Sequence, residues 1–530
     1  MRAAALSSGN VTPGQLAGAR YFIVADLTIG GAQILAATAE LEIPWGATGR
    51  TLSASHYLSR PVEVALDAGW GKPENAPGEA VIEIPISGRL VDLRRAGSLG
   101  SGIRCEVFLW VEGSDYTARE VLVTGAARLV QWGADGEAVV FNVRQDAGDT
   151  AAPVRIGVID DSFATLGGGY TVEENLGRSY PIVFGPKQSN SAIRPDPVRR
   201  SEALAYSRST GTPSTNQRIC VAGHRVEATE AVIYDDDGGT DTLPITYRQD
   251  GVGGVFATVN LLGSALSVDA GMTYSVKWSG DGGALVDEGQ TLTGAGHLIS
   301  YLLRAARLPV DFARLAGART ALDAYNVAGT IRARVGALEY IGDELASVLP
   351  FTLTCGPGGW WPWPWPIAPR RSEAVAEINP ERGDAVRASE LGLDAGAVVN
   401  EITLAYGYDV ATGETTRTAT AGGLDSSAPL GACINSQARY GVRSESLESV
   451  VLEAPGAAAR ALTARLLALA EPRARVAYDL ATSYGWLRPR QIVAVSDADV
   501  GAYGVAVVDK LTLSEVGLTA ELLIITPGEP

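Results

Sequence analysis

The chain has 530 residues, of which 46% are hydrophobic and 19% are charged, and its net charge is −17 at pH 7. Because one hydrophobic core rarely serves more than about 250–300 residues, this length predicts several domains. The acidic balance leaves no basic face to neutralise phosphates and argues against tight nucleic-acid binding. Dispersed acid is typical of a solubility surface, although an acidic channel wall that repels DNA would have the same composition.

The sequence shows no targeting segment or membrane span. The apolar run at 1–6 is shorter than the core of a signal peptide, and no run approaches the roughly 18 apolar residues that cross a bilayer. We therefore expect a protein that is made in the cytoplasm of its host and does not enter the membrane.

Residues 1–146 are predicted to form a first β-domain. Apolar residues alternate with polar ones at 62–66, 82–86 and 107–109, which is the period of strands with one buried face. Glycine-rich turns at 69–78 and 96–102 separate these runs. This pattern favours an antiparallel sheet or barrel.

Residues 147–290 are predicted to be a connector followed by a β-rich insertion. The connector is glycine-rich and irregular, and further strands are expected at 218–222, 231–234, 245–248, 255–261 and 274–278. In contrast, residues 291–397 are predicted to form a mixed α/β middle domain. Its helices are expected at 295–307, 310–325 and 337–349, because apolar residues there recur at helical spacing, and an alternating strand is expected at 327–335.

Residues 398–530 are predicted to form a small β-barrel packed by one amphipathic helix. Strands are expected at 398–406 and 415–420, then a helix at 456–470, and then strands at 475–482, 491–495, 504–513 and 519–525. On the helix, Leu462, Leu466 and Leu469 form one apolar stripe. The whole chain is therefore expected to be mainly β with some α, multidomain, and of the α+β class.

Several short phrases occur in a distinctive order along the chain. They are Tyr180-Pro181-Ile182-Val183-Phe184-Gly185, the helix and strand at 340–354, Asn400-Glu401-Ile402-Thr403-Leu404, Tyr440-Gly441, the Ala- and Leu-rich helix, and Leu487-Arg488-Pro489-Arg490-Gln491-Ile492-Val493. In this order they resemble the baseplate and tail-tip hub proteins of long-tailed phages, a group that includes the tip attachment proteins of lambda-like phages and the hubs of gene transfer agents.

This resemblance implies two tail-tube-like β-barrel domains, at 1–146 and 398–530, with flanking helices and the β insertion between them. It implies a virion protein of the tail tip or baseplate that closes the tail tube and links it to spike or receptor-binding proteins, with a channel for DNA ejection. The implied partners are copies of the same chain in a homotrimer, the distal tail or tube protein and the tape-measure protein. Genomic DNA would pass through without specific binding.

The most unusual segment is Trp360-Trp361-Pro362-Trp363-Pro364-Trp365-Pro366. Alternating Trp and Pro favours an extended conformation with rings on several sides. The rings of Trp360, Trp361, Trp363 and Trp365 are therefore candidates for contact with a partner protein. A local packing role and saccharide binding are the alternatives.

We expect no catalytic residue, metal or cofactor. The four cysteines stand far apart, and the sequence contains no G-x-S-x-G or H-E-x-x-H motif. The acidic turn at 235–241 lacks the spacing of an EF-hand. The rival interpretation is a secreted β-rich carbohydrate-active enzyme or carbohydrate-binding protein, in which Asp160-Asp161 and Glu173-Glu174 would supply a pair of carboxylates and the tryptophans would stack on sugar.

Overall fold

The computed structural model describes residues 20–45, 50–54, 56–58, 62–73, 78–100, 102–133, 138–154, 182–185, 201–207, 218–227, 229–235, 239–249, 255–261, 264, 274–279, 286–287, 290–331, 335–383, 385–389, 392–393, 397–409, 413–424, 426, 428–514 and 517–527. Several predicted features lie outside these residues, namely the run at 1–6, the first two residues of the Tyr180 phrase, the two acidic pairs, and the centre of the turn at 235–241.

The described part of the chain is mostly β-structure with some helices. The strands up to residue 145 are β1 (Tyr21–Ile29), β2 (Ala32–Ala37), β3 (Leu41–Trp45), β4 (Arg50–Ala54), β5 (His56–Tyr57), β6 (Glu63–Asp67), β7 (Glu79–Pro85), β8 (Arg104–Val111), β9 (Glu120–Trp132) and β10 (Ala138–Gln145). The next strands are β11 (Ile182–Phe184), β12 (Ser201–Ser207), β13 (Arg218–Ala222), β14 (Glu230–Asp235), β15 (Thr240–Pro244), β16 (Thr246–Gln249), β17 (Val255–Asn260), β18 (Tyr274–Ser279), β19 (Val286–Asp287) and β20 (Gln290–Thr291).

Shorter strands follow through the middle, and the final strands are longer. They are β21 (Gly329–Ile331), β22 (Phe351–Gly356), β23 (Gly359–Pro364), β24 (Glu377–Ile378), β25 (Ala385–Arg387), β26 (Gly392–Leu393), β27 (Glu401–Asp409), β28 (Glu414–Gly422), β29 (Ala428–Pro429), β30 (Ser444–Glu448), β31 (Ala474–Leu480), β32 (Ile492–Asp497), β33 (Ala502–Leu513) and β34 (Leu518–Pro527). The α-helices are α1 (Gly88–Arg95), α2 (Ala295–Ala305), α3 (Phe312–Leu322), α4 (Ala337–Tyr340), α5 (Gly431–Tyr440) and α6 (Pro455–Leu469), and α4 continues as a π-helical turn over Ile341–Ala346.

The largest sheet has fifteen strands and joins the two ends of the chain. Twelve of these strands follow the order β25-β31-β34-β33-β6-β7-β10-β9-β8-β1-β2-β5, while β26 pairs with β31, β32 with β33 and β24 with β32. The sheet curls into a half-barrel. The junction is the antiparallel pair β33–β6, in which Leu511 lies opposite Leu66. One core packs against this sheet, and both ends of the chain contribute to it, for example through Phe141 and Tyr478. The predicted strands of 1–146 and of 475–525 are confirmed, and they share this sheet.

The insertion forms a separate seven-stranded antiparallel sheet in the order β15-β14-β18-β12-β13-β17-β16. Its small core includes Ile219, Ile233 and Val259. The five strands predicted between 218 and 278 are all present, with bounds that shift by a residue or two. The connector phrase reaches the middle of the molecule, because β11 pairs with β21 and Val183 N–H donates to Nε2 of His224 at 3.0 Å.

The second large core belongs to the middle of the chain. It gathers α2, α4, β22 and the four-stranded sheet β29-β28-β27-β30 around α6. The three predicted helices and the helix at 456–470 are confirmed. However, Leu462 and Leu466 of α6 pack in the middle core with β27 and β28, whereas Leu469 packs against a small cluster that includes Trp70 and Leu523. Residues 398–530 are thus divided between two sheets. Helical periodicity marks a face that must be buried but does not specify which sheet will cover it.

Candidate functional site

The tryptophan tract forms the second strand of a β-hairpin. Strand β23 pairs with β22, with Trp361 opposite Thr354 and Trp363 opposite Thr352. The strand begins directly after the turn, at Gly359, whose φ is +110° and where a Cβ would lie 2.4 Å from the carbonyl carbon of Pro309. Only glycine allows this close approach of two backbones.

The four rings point into different parts of the molecule. Trp360 is fully buried in the core of the helical middle, and its Nε1–H donates to the carbonyl of Ala147 at 2.7 Å. Trp365 is 5% exposed and stacks on Trp70 with ring centroids 5.4 Å apart, whereas Trp363 is half-buried and meets Trp70 edge-on at 6.0 Å. The tract thus ties the first β-segment to the middle of the chain.

Thr352 completes this connection. It accepts a hydrogen bond from Nε1 of Trp365 at 3.0 Å, and its own hydroxyl lies 2.8 Å from the carbonyl of Gly69 and 2.9 Å from that of Lys72. The Trp365 Nε1–H is therefore satisfied by the Thr352 hydroxyl, and that hydroxyl by backbone carbonyls of the loop after β6. A saccharide would need an exposed ring face, and Trp363 is the only ring of the four that is not buried.

Trp361 faces a cleft of about 810 Å³ between the hairpin, α3, the start of β9 and the loop before β32. Guanidinium groups of Arg314 and Arg490 lie over its ring at 4.4 and 5.2 Å from the centroid. In addition, Arg488 donates from Nε to the buried carboxylate of Glu120 at 2.8 Å. Burial raises the pKa of Glu120, and the facing Arg488 opposes that rise.

Arg490 has the least favourable surroundings in the cleft. Burial, together with repulsion from Arg314, lowers the pKa of Arg490 to about 9. Its backbone has a positive φ of 75°, which is uncommon for a residue with a side chain. The sequence marked 487–493 only as a turn before a strand, so neither this strain nor the arginine cluster was predicted.

Other site chemistry is limited in the part of the chain that the structure describes. No group of three His, Cys, Asp or Glu side chains there could hold a metal ion, and the four cysteines are buried free thiols. No helix within the same ranges is long and apolar enough to cross a membrane.

Comparison with known proteins gives matches among solved structures alone, since no family model and no curated protein matches the sequence. The tail protein from Neisseria meningitidis MC58 matches 95% of this chain over 96% of its own length, at 10% identity and a TM-score of 0.37. The 43 kDa tail protein of prophage MuSo2 from Shewanella oneidensis matches 95% of this chain over 98% of its own length, at 13% identity and a TM-score of 0.35.

A chain in the virion of a native gene transfer agent matches 68% of this chain over 91% of its own length, at 13% identity and a TM-score of 0.40. The matched structures thus belong to the class that the sequence predicted, namely phage tail and baseplate proteins. At such identities and TM-scores the likeness does not by itself assign a function.

Proposed function

We propose that this chain is a structural protein of a phage tail tip or baseplate, a homotrimeric hub that closes the tail tube and links it to spike or receptor-binding proteins. The observation that carries the proposal is the fifteen-stranded sheet, because strands from both ends of the chain share one curled half-barrel through the β33–β6 junction. The order of the sequence phrases that begins at Tyr180 and ends at Val493 supports the same role.

A homotrimer is the assembly that this arrangement favours. One subunit presents two β-segments side by side, 21–145 and 474–527, so that three copies around one axis would present six. A ring of six such segments would match a hexameric tail tube. The expected partners are the distal tail or tube protein, the tape-measure protein and the spike, and DNA would pass through the ring without specific binding.

The net charge of −17 suits such a ring. A wall with an excess of carboxylates repels the DNA backbone and disfavours adhesion during ejection. The proposed function is mechanical and uses no catalytic residue. The tryptophan tract remains a candidate for partner contact. In this proposal the half-buried Trp363 touches the neighbouring protein, and the buried Trp360, Trp361 and Trp365 fix the hairpin that presents it.

Native mass spectrometry of the purified chain, alone and mixed with the distal tail protein of the same particle, tests this proposal. We expect a species of three times the chain mass of 55.2 kDa. A chain that remains monomeric at high concentration, both alone and with the distal tail protein, would contradict the trimeric hub.

A further inference from the structure

One of the charged side chains that line the cleft beside Trp361 forms no ion pair within the described residues. Seven charged side chains line it, and six have an ion-pair partner: the pairs are Arg488 with Glu120 (2.8 Å), Arg314 with Asp311 (3.5 Å), Asp67 with Lys72 (3.6 Å), and Arg119 with Glu106. The seventh is Arg490. Its guanidinium donates from Nη2 to the backbone carbonyl of Asp67 at 2.8 Å and forms no ion pair with any described residue.

Hydrogen-bonding capacity is also left over at the same place. The Nε of Arg490 and the Nη2 of Arg488 are buried and have no hydrogen-bond partner among the described residues. Buried guanidinium donors are normally satisfied, because an unmade hydrogen bond of a charged group is expensive. Two arginines of one loop, both of which line the cleft, thus hold unused donors.

Repulsion between two guanidinium groups beside Trp361 adds to the cost of these unmade hydrogen bonds. Arg314 and Arg490 both lie over its ring, so two like charges are close together in a partly desolvated site. A cation over an aromatic face gains some stabilisation, but this does not cancel repulsion between the cations. An anion beside Arg314 and Arg490 would offset the repulsion between their charges and supply a charge-assisted hydrogen-bond acceptor to these guanidinium groups.

We propose that this cleft is an anion-binding site that takes a carboxylate side chain from an acidic, extended segment of a partner protein, with Arg490 and Arg314 as the binding residues. The volume of about 810 Å³ exceeds the needs of a single small anion and falls within the usual range of ligand sites. The uncharged part of the wall includes Pro and Trp side chains, among them Pro357, Pro362 and Trp363, which suit contact with an extended polypeptide.

Single-stranded nucleic acid fits the site less well. Base recognition without sequence preference depends on aromatic faces that can stack. The Trp361 ring beside both arginines is instead covered by guanidinium groups.

Binding of a fluorescein-labelled peptide of six glutamates to the full chain, followed by fluorescence polarisation, tests this inference. The peptide of six glutamines is the ligand control. The Arg314→Gln variant should weaken binding of the glutamate peptide by about tenfold or more, because it removes one charge-assisted contact. Arg314→Lys should retain part of the affinity, since it keeps the charge but loses the planar fork.

Arg95→Gln is the matched control variant. It removes the same charge from α1, where Arg95 is 78% exposed and pairs with Asp92 at 3.7 Å, and it should leave binding unchanged. The melting temperatures of the variants verify that each one folds. Equal binding of the two peptides, loss of affinity in Arg95→Gln equal to that in Arg314→Gln, or tighter binding of inorganic phosphate or oligothymidylate than of the glutamate peptide would overturn the inference. Such a result would leave the proposed tail role untouched, because the assay uses the isolated chain and requires no tail assembly.

Discussion

Replacement of Trp360 by alanine should destabilise the isolated chain far more than the same replacement of Trp363. Trp360 is fully buried, and its Nε1–H is bonded to the carbonyl of Ala147 at 2.7 Å. Truncation of a buried Trp costs roughly 3–5 kcal/mol, which includes the cavity that it leaves. Trp363 is half-buried and meets Trp70 edge-on at 6.0 Å, so its loss should cost about 1–2 kcal/mol.

The difference between these two variants separates packing from partner contact. Urea unfolding followed by intrinsic fluorescence and circular dichroism gives the two free-energy changes, provided that the transition containing the hairpin is resolved. Trp360→Phe serves as an intermediate control, because it keeps a ring but leaves the Ala147 carbonyl without its donor, at a cost of about 1–3 kcal/mol. Equal losses for Trp360→Ala and Trp363→Ala would refute the division of roles within the tract.

Two further predictions concern the backbone at the hairpin and a half-buried acid, Asp26, in β1. Gly359→Ala should destabilise the chain by at least about 2 kcal/mol, because φ is +110° and the new Cβ meets Pro309 backbone. Gly456→Ala on α6 should instead stabilise the chain by about 0.5–1 kcal/mol, because nothing lies within 4 Å of the new Cβ. Shifts of the melting temperature with the same sign in both variants would contradict this prediction. Burial raises the pKa of the Asp26 carboxyl above its usual 3.8, so the folded state binds the carboxyl proton more tightly than the unfolded state does. The resulting contribution to the free energy of unfolding is present below pH 3.8 and is lost as pH rises through the folded pKa. Asp26→Asn should remove this part of the pH dependence, and a melting temperature that follows the same pH curve in both proteins would contradict the assignment.

Local structure was largely predictable from this sequence, whereas the pairing of distant segments was not. Helical and two-residue periodicities located α2, α3 and α6 and the strands of the insertion, because each pattern reflects a face that must be buried. The β33–β6 pair joins Leu511 to Leu66, and no periodicity specifies which remote edge a strand will meet. For the same reason, the packing of α6 into the middle core differs from the expected barrel.

In the candidate site, too, local conformation was predictable from the sequence and contacts between distant segments were not. Composition singled out the tryptophan tract, and alternation of Trp with Pro gave its extended conformation, which β23 confirms. The burial of Trp360 and Trp365 depends on partners at Ala147 and Thr352 that lie elsewhere in the sequence. The uncompensated Arg490 results from several segments that converge on one cleft, together with a positive φ that its residue type does not suggest.

A trimeric ring of this chain at the end of a phage tail is the central proposal. Electron cryo-microscopy of tail particles purified through an affinity tag on this chain tests it most directly. We expect density for three copies around the tail axis at the distal end of the tube, with the fifteen-stranded sheets forming a continuous wall. Density for the chain away from the tail tip, or particles that lack it altogether, would contradict the proposal.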